Sequence, residues 1–150
     1  TSSVITLGTS SGTNANGDNF IMYAFADVKG FSKFGSYTGN GSTDGTFVYT
    51  GFKPAWFMVK RTSGTDQWIM YDNKRETFNT MNIALVADGN DAEQDNAAYN
   101  TIDFLSNGFK CRGGTSGSGT GTNQSGGSYI YMAFAESPFV NSNKVPTNAR

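Results

Sequence analysis

The sequence predicts an all-β fold: a two-sheet antiparallel β-sandwich of jelly-roll or lectin type, with about nine short strands and no substantial helix. Three observations carry this reading. The polarity comes from Gly, Ser, Thr and Asn, while charged residues are only 15% of the chain. Aromatic residues reach 14%, enough to build a core and to exclude disorder. Apolar residues alternate over short runs between turn formers, which is the period of a strand. At 150 residues the chain has the length of a single domain with its own core.

Val4–Leu7 is a short β-prone run ending at Gly8, and residues 8–18 read as a polar loop. The next stretch, Asn19–Asp27 (NFIMYAFAD), returns 109 residues later as Ser128–Glu136 (SYIYMAFAE). Ile21/Ile130, Ala24/Ala133, Phe25/Phe134 and Ala26/Ala135 are identical, and a Gly/Ser/Thr/Asn-rich run precedes each copy. Both copies are apolar on both faces, so each is expected inside a sandwich. The first copy is expected to pack beside the second within one domain; cover by a neighbouring chain is the alternative. Residues 1–30 then resemble the end of a preceding repeat, 31–140 a full module and 141–150 a polar tail.

Between Val28 and Gly45 the chain is rich in turn formers, with Gly39-Asn40-Gly41 and Asp44-Gly45 as the clearest signals. Phe47–Thr50 is a short strand, and Pro54 breaks the ladder before the next. Ala55–Arg61 and Gln67–Tyr71 alternate cleanly and are separated by TSGTD, a hairpin. Ile83–Ala87 is another strand. Asp88–Asn100 reads as an acidic loop in which a helical turn at Ala92–Ala98 is an option. Thr101–Leu105 and Gly108–Arg112 form a hairpin around Ser106-Asn107. Residues 113–127 hold 7 glycines and no apolar side chain, so a flexible surface loop is expected.

The chain contains no histidine, which removes the commonest general base and metal ligand. Cys111 is the single cysteine; it makes no internal disulfide and reads as a buried small hydrophobe. With a net charge of -1 there is no basic field for nucleic acid or anionic lipid. No apolar run approaches the length of a membrane span, so membrane insertion is not expected. The glycine loops lack the spacing of a phosphate cradle, and no cofactor is expected.

Two binding readings remain. Trp56, Trp68, Tyr37 and Tyr99 are candidates to stack on sugar rings, with Tyr37 and Tyr99 placed in polar loops and both tryptophans in strands. Asp88, Asp91, Glu93 and Asp95 are a weak calcium alternative, because Ala92 stands where a calcium loop needs an oxygen ligand. Asp72 and Arg75 are expected to form a local ion pair.

The order FGSYTGNGSTDGTFVYTGFKPAWFMVKR, WIMYDNKR, IDFLSNGFK and YIYMAFAESPF resembles a β-sandwich domain of bacteriophage tail and fibre proteins, notably in phages of marine bacteria and cyanobacteria. More distantly it is similar to concanavalin-type lectin sandwiches. The resemblance covers Phe31–Arg150 and implies a non-enzymatic structural protein of the virion: tail fibre, tail-associated adhesin or surface decoration. It implies a homo-oligomer, a trimer or larger, that contacts other virion proteins in a virion or extracellular setting, with a host-surface glycan as an optional further partner. It supplies no catalytic residues, and the calcium and sugar positions of lectins have no match here. A carbohydrate-binding module and a subunit of a bacterial surface filament are the alternatives.

Overall fold

Alternation in sequence becomes alternation in burial. In the strand Trp56–Arg61 the side chains of Phe57 and Val59 are buried, while Trp56 and Met58 are half-buried on the opposite side. Its partner Ile69–Asp72 does the same, with Ile69 and Tyr71 buried. Period-2 geometry sends successive side chains to opposite faces, so one face of each strand builds the core.

The structure, a computed structural model, describes residues 4–95, 101–113 and 121–138. Among them one helical turn, α1 (Ser11–Asn14), precedes nine strands. These are β1 (Ser32–Thr38), β2 (Phe47–Tyr49), β3 (Trp56–Arg61), β4 (Ile69–Asp72), β5 (Ile83–Val86), β6 (Gln94–Asp95), β7 (Ile102–Leu105), β8 (Gly108–Cys111) and β9 (Ser128–Phe134). They form a six-stranded sheet in the order β1-β9-β3-β4-β5-β6 and a three-stranded sheet in the order β2-β8-β7. All pairings are antiparallel. The fold is a two-sheet β-sandwich.

Aromatic rings lock the two sheets together. Phe57 of β3 meets Phe109 of β8 with ring centroids 4.4 Å apart, and Tyr131 of β9 meets the same Phe109 edge-on at 5.1 Å. Tyr37 of β1 reaches Phe109 at 5.7 Å. Such offset and edge-to-face pairs add about 0.5–1.5 kcal/mol each to the burial of the rings. Cys111 lies fully buried in this core, and desolvation pushes its thiol up to about 12. The strand β9 is central, paired with β1 on one side and β3 on the other.

The two hairpins, β3–β4 and β7–β8, stand where alternation and turn formers put them. Other expectations change. Val4–Leu7 and Asn19–Asp27 join no sheet. The second correction has a clear cause. Both edges of β9 are occupied, so the earlier copy finds no place beside it. The outer edge of β1 is the remaining neighbour, but there the chain pairs only at Val28 and Ser32. Past that bridge the Asp27 carboxylate accepts the Phe34 N–H at 2.9 Å, where a ladder would need a carbonyl. Lys33 also donates to Asp27, and this bond with the Phe34 N–H holds the carboxyl below its usual range.

Two strands form where loops were expected, β1 within the turn-rich region and β6 within the acidic loop. The helical turn expected at Ala92–Ala98 is replaced by β6 as far as Asp95; residues 96–100 lie outside the described residues, as does the tail 141–150. The loop expected over 113–127 is in its described second half partly buried, with Thr122 and Asn123 at 0% exposure.

Candidate functional site

Each strand of the large sheet that gives one side chain to the core gives the next to the outer face. The register lines these up across strands: Phe34 lies opposite Met132, Met132 opposite Met58, Met58 opposite Met70, and Met70 opposite Leu85. All five are half-buried. The result is an apolar row that crosses β1, β9, β3, β4 and β5 without a polar interruption. Trp56 and Phe134 form a second, shorter row beside it, tilted rings with centroids 5.7 Å apart. Ile130 extends the patch at 40% exposure. Three of the five side chains in the long row are methionine, whose unbranched thioether adapts to a partner's contour.

The unpaired N-terminal segment adds to this surface. Ile21 is 83% and Tyr23 80% exposed, and Phe25 lies against the outer-face rings Phe34 and Phe134 at 5.9 Å from each. Contiguous apolar surface of this kind on a folded domain marks a contact site.

The candidate sugar-stacking residues do not converge. Tyr37, expected in an exposed loop, is instead a core residue of β1: it stacks on Tyr129 at 4.8 Å and 7°, and its hydroxyl donates to the Thr122 carbonyl at 2.7 Å. Burial raises its phenol well above the usual range. The reason is local: Gly35 leaves room for Tyr131, so the polar run SKFGSYT can lie flat in the sheet with Tyr37 as its inward anchor. Trp56 belongs to the outer face of the large sheet. Trp68 stands just before β4, half-buried, with its backbone N–H donating to Asp88 Oδ1 at 3.0 Å. Tyr99 lies outside the described residues.

The acidic residues are each engaged separately. Asp88 accepts from Trp68, Asp91 from Gln67 at 3.2 Å, and Asp95 from Asn82 at 2.8 Å, while Glu93 pairs with Arg75. They supply loop-fixing acceptors, and among the described residues no group of three or more His, Cys, Asp or Glu could hold a metal ion. Arg75 also holds Asp72 at 3.0 Å, the ion pair expected from the sequence.

Two polar clusters went unread in the sequence. Arg61 and Asp66 form an ion pair at 2.9 Å, nearly buried, at the end of the β3–β4 hairpin. Asn123 is a buried clasp: its Nδ2 donates to Asn40 Oδ1 at 2.9 Å and to the Ser42 carbonyl at 2.7 Å, and its Oδ1 accepts the Asn40 N–H at 3.0 Å. The clasp ties the strand-β9 entry to the β1–β2 loop. Only a lone Asn in a glycine run hinted at it.

In comparisons with known proteins, residues 1–138 match the family described as a domain of unknown function (DUF7483). No curated protein and no solved structure matches the chain.

Proposed function

The chain belongs to the DUF7483 family, and from its surface we propose that it is a non-enzymatic structural module of a bacteriophage particle that assembles with copies of itself. The observation that carries this reading is the apolar row Phe34–Met132–Met58–Met70–Leu85 on the outer face of the large sheet. A sheet face with so few charges is costly to leave in water and gains free energy when a second face covers it, at roughly 25 cal/mol per Å² of apolar area. The motif order that resembles phage tail and fibre domains supports the virion setting. The reading covers a tail fibre, a tail-associated adhesin and a surface decoration alike.

Light scattering on the purified protein and immunogold labelling of particles test this together. Concentration-dependent association and label on the particle are the expected results. A strict monomer at all concentrations, with unlabelled particles, would overturn the proposal.

Host-glycan binding is a second reading, favoured by one observation: Trp68 is half-buried in a loop that two carboxylates fix, Asp88 on the Trp68 backbone N–H and Asp91 on the side chain of the adjacent Gln67. An aromatic residue in a polar loop with a few fixed acceptors has the composition of a sugar subsite. A glycan array scored for the wild type and Trp68→Ala decides it; no hits for the wild type would end this reading.

A further inference from the structure

The repeat extends further than its strand. At the same offset of 109 residues, Gly12-Thr13-Asn14 aligns with Gly121-Thr122-Asn123 and Gly17 with Gly126. In the second copy these residues have defined jobs. Thr122 and Asn123 are fully buried, with Asn123 as the clasp on the β1–β2 loop, and Gly126 turns the chain at φ 71° into β9. In the first copy the same residue types do none of this work. Thr13 and Asn14 are exposed, and the strand that follows joins no sheet. Gly17 nevertheless has φ 87°, the same left-handed turn.

A clasp, a left-handed glycine and a doubly apolar strand, in the same order and spacing, make up the complete closing segment of a sandwich. Here that segment is present twice while the sandwich has room for one. We propose that residues 12–27 are the closing segment of a second sandwich of this family, which precedes this one in the same polypeptide. The strand would lie between the β1 and β3 equivalents of that sandwich, and Asn14 would clasp its β1–β2 loop. The placement within the chain favours a tandem arrangement. Only Val28–Phe31 separate the segment from β1. The inference is independent of the phage reading.

The test is a fusion in which residues 31–112 of a second copy are joined ahead of the full chain. Its first half carries β1–β8 and lacks a closing strand, and residues 1–18 supply a connecting loop of similar length to the native one. Hydrogen exchange read by mass spectrometry or NMR is expected to show the amides of residues 21–26 protected as strongly as those of 130–135. In the single chain the same amides, exposed and outside any sheet, are expected to exchange freely. Asn14→Ala is expected to lower the melting temperature of the first half of the fusion and to leave the single chain unchanged. A control fusion carrying residues 31–136 ahead, with its own closing strand, is expected to leave residues 21–26 unprotected. If the control folds and residues 21–26 of the first fusion still exchange freely, the proposal is overturned. Protection in the single chain that rises with protein concentration to the level of residues 130–135 would also overturn it, by pairing the segment as a strand with a second copy.

Discussion

Phe25 and Phe134 occupy matching positions of a repeated strand, and their rings lie 5.9 Å apart, edge to face, over the same neighbour, Phe34. One of the two comes from the middle of a sheet and the other from a segment in no sheet at all. Phe25 thus seats the N-terminal segment on the corner where β1 meets β9. Apolar surface continues from that corner across the outer face of the large sheet.

Removing residues 1–24 is expected to leave the sandwich folded. The core aromatics all lie beyond Val28, and the contacts that finish β1 come from Ala26, Asp27 and Val28. The cost should be within about 1 kcal/mol, the range for residues without buried partners. Chemical denaturation of the two chains side by side measures it.

Asn123→Ala is expected to destabilise by about 3 kcal/mol. It strips partners from the Asn40 N–H, the Asn40 side chain and the Ser42 carbonyl, and buried polar groups left unpaired cost about 1–3 kcal/mol each before relaxation. Gly45→Ala should do comparable damage, because a Cβ there would stand 2.3 Å from the Cys111 carbonyl oxygen. Asn14→Ala in the same chain is the matched control and should change nothing measurable.

Asp66→Ala is expected to cost about 3–5 kcal/mol, since it leaves the Arg61 guanidinium nearly buried without its counter-charge. Replacing both residues with apolar ones of similar size should recover most of that loss. A double-mutant cycle in urea reads the difference.

Stability is expected to fall as the pH rises past about 10. Burial raises the phenols of Tyr37 and Tyr71 well above their usual range, and those of Tyr129 and Tyr131 in the same direction. The unfolded chain loses these protons near the ordinary value while the folded one keeps them. The stabilisation is thus complete below that value and is lost as the pH climbs toward the folded values. Melting temperature followed between pH 8 and 11, with phenolate absorbance recorded alongside, checks the sign.

What the sequence made legible was whatever alternation could express. The hairpin β3–β4 shows Phe57 and Val59 against Trp56 and Met58, and no other geometry suits that order. The strand β1 was hidden because SKFGSYT has a single apolar inward anchor, Tyr37, and a glycine whose value is the space it leaves for Tyr131. The Asn123 clasp was hidden because hydropathy treats a buried, fully bonded amide like an exposed one. The same limit misplaced Tyr37 as a stacking candidate. Asn19–Asp27 reads as a strand by its apolar pattern yet joins no sheet, because that pattern does not register that both edges of β9 are already taken. The outer apolar row needed the register, since Phe34, Met58, Met70, Leu85 and Met132 are far apart in sequence and meet only across strands.

The most direct test of the assembly surface is sedimentation equilibrium of the wild type and of Met58→Lys, with residues 1–24 removed from both so that the N-terminal segment plays no part. Met58 is the middle of the row and points away from the core, so the lysine variant should stay folded. The expected result is association of the parent chain that rises with concentration, and a folded monomer for Met58→Lys. Equal masses for the two proteins at every concentration would contradict the account.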